Sequence, residues 1–265
     1  MNAPKSLHAS VLTASVALAI MLLAGCQNQP VPPNTPGLAD AERLKASRQY
    51  EEALDVVHRY LSEQPNSIYR TDALVLAGEC EIELKQYDEA QRAFQDAQMK
   101  PRSSAVSARA KFGMGQAAFA REKFNDAITA YDAALKANKN AISASKALQK
   151  IAFAHIRNGN WTEGRKFLAQ VVKQYPGTPE AEIASETLAG PNSFQLRCGS
   201  FETPAAADRQ VRLVKAKGQS PFVVPITRQG KTLQTVVTGK YSSFADAKAA
   251  CDNLGSQGVT CFIFP

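Results

Sequence analysis

The residue types that could carry covalent or metal chemistry are few and scattered. Five cysteines stand at Cys26, Cys80, Cys198, Cys251 and Cys261. His58 and His155 have no second ligand near them in sequence, so they form no metal site. No HExxH, no histidine cluster with carboxylates and no GxSxG occurs. Catalytic residues, metal ions and cofactors are therefore not expected. Binding chemistry remains. In Phe194-Gln-Leu-Arg-Cys-Gly-Ser-Phe201 the residues Phe194, Leu196 and Cys198 alternate with Gln195 and Arg197. That is the period of a half-buried strand, with a guanidinium fork on its polar side.

The elements that must position this strand begin with an export segment. Lys5 precedes an apolar run from Val11 to Leu23, too short to span a membrane comfortably. The run ends in Leu23-Ala24-Gly25-Cys26. This resembles the bacterial lipoprotein signal, which implies a signal peptide over 1–25 and lipidation (a palmitate-type anchor) at Cys26. Gln27 follows, and by the same resemblance the absence of Asp there implies the periplasmic face of the outer membrane. Residues 26–37 hold Pro30, Pro32, Pro33 and Pro36 and read as an extended tether. The net charge of +7 suits a polyanionic neighbour without naming one.

From 38 to 190 the chain repeats. Tyr50, Tyr87, Phe124 and Trp161 recur every 37 residues. Ala53, Ala90, Ala127 and Gly164 recur with them, as do Val57, Phe94, Tyr131 and Leu168. Ala41, Gly78, Gly115 and Ala152 hold one place in the first helix of each unit. A fixed period of this kind marks stacked units. The pattern resembles the tetratricopeptide repeat (TPR), a pair of antiparallel helices, with a period three residues above the family's usual one. The resemblance implies a curved stack whose concave side is lined by first helices. Candidates there are Asp72, Val75, Glu79, Arg109, Phe112, Gln116, Phe119, Lys146, Gln149, Phe153 and Ile156. They would form a groove for a protein partner, or complete the packing between repeats. Cys80 reads as core.

After the Gly190-Pro191-Asn192-Ser193 turn, residues 193–265 read as βαββαβ. Cys198-Gly199-Ser200-Phe201 is answered by Thr238-Gly239-Lys240-Tyr241, and Ala207, Val214 and Gly218 by Ala247, Leu254 and Gly258. This doubled pattern resembles the SPOR domain, a peptidoglycan-binding module of bacterial cell-division proteins. The fold class is then two domains: an all-α TPR stack and a small α+β SPOR domain of ferredoxin-like order.

The resemblance implies that the first and last strands are neighbours and that both helices cover one face. The helix-free face would be solvent-exposed and bind glycan strands stripped of peptide. Arg197, Ser200, Leu233, Thr235, Val237 and Phe262 map to that face. Cys198 and Cys261 are expected to form a disulfide across the neighbouring strands, with Cys251 the rival partner. RNA-binding modules share the topology, but their stacking aromatics are replaced by Gln195, Arg197, Thr235 and Val237, and export removes the chain from nucleic acid.

The expected function is a non-enzymatic, lipid-anchored outer-membrane protein that binds peptidoglycan and recruits periplasmic or envelope proteins, at the division septum. A general envelope scaffold anchored to the wall is the alternative. A wall-cleaving enzyme is a third reading, but the repeat accounts for the helical residues without a catalytic one.

Overall fold

The computed structural model describes residues 37–228 and 230–264. The lipidation at Cys26, the signal segment and nearly all of the tether lie outside the described residues.

Nine helices are described before the sheet: α1 Leu38–Ala46, α2 Tyr50–Glu63, α3 Arg70–Glu83, α4 Tyr87–Met99, α5 Ser104–Ala120, α6 Phe124–Asn138, α7 Ala144–Arg157, α8 Trp161–Gln174 and α9 Pro179–Ala189. The first eight form four antiparallel pairs, and α9 closes the stack. Polar caps set several starts: Ser103, Ser143, Asn160 and Thr178 each accept a backbone N–H of the first turn, and Pro179 follows Thr178 where its missing N–H is no loss.

The repeated small residue is matched to what faces it. In the second and third units it is Gly78 and Gly115, and a Cβ there would come within 2.7 Å of the Phe94 ring and 2.6 Å of the Tyr131 ring. In the first and fourth units the facing residues are Val57 and Leu168, and Ala41 and Ala152 suffice, all four fully buried. An aromatic across the helix pair demands glycine; an aliphatic tolerates a methyl.

The turn inside each pair is also repeated. Gln49, Gln86, Lys123 and Asn160 donate their N–H to carbonyls five residues back, at 2.8–2.9 Å. This is a Schellman closure, which needs one residue at positive φ. Those residues are Arg48, Lys85 and Glu122, near +60°, and Gly159 at +83°. Only the fourth unit uses glycine. Arg48→Gly and Lys85→Gly are each expected to raise stability by roughly 0.5–1 kcal/mol, read as a higher urea midpoint. A lower midpoint in both variants would refute the assignment of strain.

Glu81 on α3 is buried, and its Oε2 has no hydrogen-bond partner. Burial, helped by the charge of Glu89, raises its carboxyl to about 7 from 4.5. The folded state therefore holds this proton more tightly than the unfolded chain. The resulting stabilisation is full below pH 4.5 and lost as pH rises through 7. The urea midpoint is expected to fall between about pH 5 and pH 8, and Glu81→Gln should flatten that fall.

The C-terminal module runs β1 Phe194–Phe201, α10 Pro204–Ala216, β2 Phe222–Arg228, β3 Lys231–Tyr241, α11 Phe244–Ser256 and β4 Phe262–Phe264. The sheet order is β2-β3-β1-β4 with every pairing antiparallel, so β1 and β4 are neighbours as expected. Leu196 and Cys198 point to the helices and pack with Ala207, Val214, Ala247 and Leu254. That core does not stop at the module. It continues through Phe194 into Ala152, Ile156, Leu168 and Val171 of the repeats.

The expected Cys198–Cys261 disulfide is corrected. Cys261 is bonded to Cys251, with Cα atoms 6.0 Å apart, and Cys198 is a free, buried thiol pushed up to about 11 by burial. The reason is local. β4 begins only at Phe262, so Cys261 lies just outside the ladder, within reach of α11.

Candidate functional site

The polar face of β1 does not open to solvent. Arg197 is only 7% exposed. Its guanidinium donates to Glu186 of α9 and lies 3.2 Å from the centroid of the Phe264 ring. Val237 and Thr235 on β3 are buried too, and Thr235 shares a 2.8 Å hydrogen bond with Ser200. The expectation of an exposed helix-free face is therefore corrected. The closing helix α9 and the end of α7 stand over it, because the module shares its core with the last repeat.

What remains accessible is a cleft. A cavity of about 310 Å³ lies between the repeats and the sheet. Phe153, Arg157 and Ile183 form one wall; Ser200, Leu233, Thr235 and Phe262 lie on the other. Phe262 is 53% exposed at the rim, and Leu233 is half-buried. The cleft thus brings together five of the six expected glycan contacts, since Arg197 also lines it; Val237 lines a neighbouring hollow beside Glu186 and Gln195.

The concave side of the stack divides into two halves. In the first, Glu79 is gripped by Arg109, at 2.9–3.1 Å, and by Lys45. Burial pushes the Glu79 carboxyl up, but the two cations outweigh it and hold it below its usual range. Asp72 is held by both forks of Arg102 at 2.8 Å. Val75 and Ile156 are fully buried, and Gln149 donates to the Glu180 carbonyl. These three belong to packing between helices, not to a groove, which corrects their assignment. Phe112, Gln116, Phe119 and Phe153 stay half-buried. In the second half, Lys150 and Arg157 stand over the Phe119 ring, at 5.2 and 4.6 Å from its centroid.

Two family-model matches agree with this architecture. A family model described as "SPOR domain" matches residues 190–265, and one described as "Tetratricopeptide repeat" matches residues 44–112 and 118–185, more than half of the chain. The chain is a tetratricopeptide-repeat protein with a C-terminal SPOR domain. SPOR domains bind peptidoglycan and tetratricopeptide repeats mediate protein–protein interactions, so both parts are binding domains. No curated protein matches. Among solved structures, a thermophilic TPR protein of Thermus thermophilus is 18% identical, with 57% of this chain and 79% of that one covered and a TM-score of 0.46. YrrB, a TPR protein with an unusual peptide-binding site, is 16% identical over 69% and 91%, with a TM-score of 0.44. MamA from Desulfovibrio magneticus RS-1 is 20% identical over 52% and 73%, with a TM-score of 0.44.

The SPOR domain is fastened to the last TPR units by aromatic packing. The Phe194 ring lies between Trp161, 5.1 Å away between centroids, and Phe244, 5.9 Å away. Phe244 meets Phe124 edge-on at 5.6 Å, and Lys248 pairs with Glu122. Arg165 of α8 binds the connection itself, donating to the carbonyls of Thr187, Leu188 and Gly190 and to Asn192. Sequence periodicity could place Arg157 at the end of α7. It carried no signal that this residue would meet the SPOR sheet.

Proposed function

We propose that the protein is a non-enzymatic lipoprotein, anchored through Cys26 to the periplasmic face of an outer membrane, that binds denuded peptidoglycan glycan and gathers envelope proteins at the division septum. The observation that carries the reading is the cleft on the SPOR sheet. Ser200, backed by the buried Thr235 to which it is hydrogen-bonded, offers a hydroxyl to sugar oxygens, and Leu233 and Phe262 offer apolar surface to ring faces and acetyl methyls. The half-buried Phe112 and Gln116 of the TPR concave side give a partner helix or peptide its contacts.

Co-sedimentation of the full chain with amidase-treated and with intact peptidoglycan tests the binding. Enrichment on treated sacculi supports it; equal absence from both refutes it. A fluorescent full-length fusion should band at division sites, whereas a uniform envelope signal would favour a general scaffold. Cys26→Ala should release the chain from the membrane fraction, because the acyl chains supply the anchoring.

A further inference from the structure

The cleft between the repeats and the sheet is lined from both domains, and each lining side chain is placed by its own element. On the sheet side the register draws one strip across the four strands. Ile226 of β2 pairs with Leu233 of β3, Thr235 of β3 with Ser200 of β1, and Arg197 of β1 with Phe262 of β4. Leu233 and Thr235 are two residues apart on one strand, as are Phe262 and Phe264, so each couple shares a face. Three inter-strand spacings of about 4.8 Å make the strip roughly 14 Å long. On the repeat side, Phe153 comes from α7 and Ile183 from α9, both half-buried. Glu186 sets α9 over the sheet by accepting from Arg197, and Ile183 lies three residues earlier on the same side of that helix.

The polar side chains of this lining are Arg157, Arg197, Ser200 and Thr235, and the rest are apolar. Most of the polar ones are engaged elsewhere. Arg197 serves Glu186 and the Phe264 ring, and Thr235 is buried in its hydrogen bond with Ser200. The Arg157 guanidinium lies against Phe119 and Phe244, which are outside the lining. Ser200 is exposed and keeps a hydroxyl for a ligand. An occupant recognised by its charge is poorly served here. One with C–H faces and methyl groups is well served, if it is long enough to cross the strands. A β-1,4-linked chain of N-acetylated sugars has these features. Its rings turn C–H bonds to both sides, which meet the electron-rich faces of aromatic rings, and its acetamido groups end in methyls. The sheet alone would touch one side of such a chain; Phe153 and Ile183 reach the other.

We propose that the TPR domain supplies a second, apolar wall to the glycan site: Phe153 of α7 and Ile183 of α9 cover the side of the sugar chain that the SPOR sheet leaves open, and the cleft selects for acetamido methyls. This rests on the reading of the sheet as a glycan face and adds a specificity to it. The Glu186–Arg197 pair holds α9, and with it Ile183, at the cleft. The repeats then serve sugar recognition as well as protein contacts.

The test measures binding of the full chain to three oligosaccharides of equal length, from denuded peptidoglycan glycan, chitin and cellulose. The last two share a β-1,4 backbone, are uncharged, and differ in an acetamido group against a hydroxyl. The wild type should bind denuded glycan and chitin about tenfold more tightly than cellulose, the effect of roughly two buried methyls. Phe153→Ala and Ile183→Ser, each with its fold checked by circular dichroism, should weaken binding to chitin and denuded glycan by about tenfold. Phe153→Leu should lose less. A chitin oligosaccharide with a photoreactive acyl group in place of an acetyl reads the wall without a variant: it should label α7 or α9 as well as the sheet. Equal affinity for chitin and cellulose overturns the selection for acetamido methyls. Labels confined to the sheet, or folded Phe153→Ala and Ile183→Ser variants that bind like the wild type, overturn the TPR wall while leaving the glycan reading intact. A wild type that binds none of the three sugars overturns that reading as well and leaves the cleft to a protein segment.

Discussion

Gly113→Ala is expected to destabilise the TPR stack by about 3 kcal/mol, at the upper end for overpacking. The Phe94 ring is fully buried between two glycines, Gly78 of its own unit and Gly113 of the next. A methyl at Gly78 would lie 2.7 Å from the ring, and one at Gly113 closer still. The ring cannot retreat from one glycine without striking the other. Phe94→Ala alone should cost about 3–5 kcal/mol through the cavity it leaves. The two changes together should cost less than their sum, because the new methyl enters the vacated space. Urea unfolding of the two single variants and the double variant measures this coupling. Strict additivity would show that the clamp is not what fixes the spacing of these units.

Phe194→Ala should cost about 3–5 kcal/mol and change how the protein unfolds. Phe194 is 1% exposed and joins Trp161 of the repeats to Phe244 of the SPOR domain. It sits where one hydrophobic core crosses from α8 to the sheet. The intact protein should unfold its last repeats and its sheet in a single transition, since neither side closes its core alone. With Phe194 truncated, calorimetry should resolve two transitions, the sheet melting apart from the repeats. One unchanged, unsplit transition would mean that the remaining contacts, Lys248–Glu122 among them, suffice to couple the domains.

Much of this was legible from residue spacing. The 37-residue recurrence of Tyr50, Tyr87, Phe124 and Trp161 fell at the first position of each second helix. The alternation of Leu196 and Cys198 with Arg197 assigned the two faces of β1 correctly. Both signals are local: they depend on the rise and twist of a single element. Three things were not legible because they depend on how separate elements approach. Arg197 was assigned to the right face, but nothing near it in sequence foretold that Glu186 would cover it. Val75 and Ile156 lie on first helices, yet neighbouring units bury them completely. The strand order made β1 and β4 neighbours, but β4 begins only at Phe262, so Cys261 lies outside the ladder and its sulfur goes to α11. The cleft and Arg157 belong with these, as products of docking between domains.

The Arg165 bridge has a mechanical consequence. By tying the carbonyls of Thr187, Leu188 and Gly190 together with Asn192, it turns the short connection after α9 into a brace instead of a swivel. Tension applied to the sheet is then not absorbed by uncoiling 190–193. It passes directly into α8, through the guanidinium at Arg165 and the ring of Trp161. The repeats and the sheet are thereby held at one fixed angle. The pair behaves as a bracket, whose set angle is determined by side-chain packing and not by the length of chain between its arms.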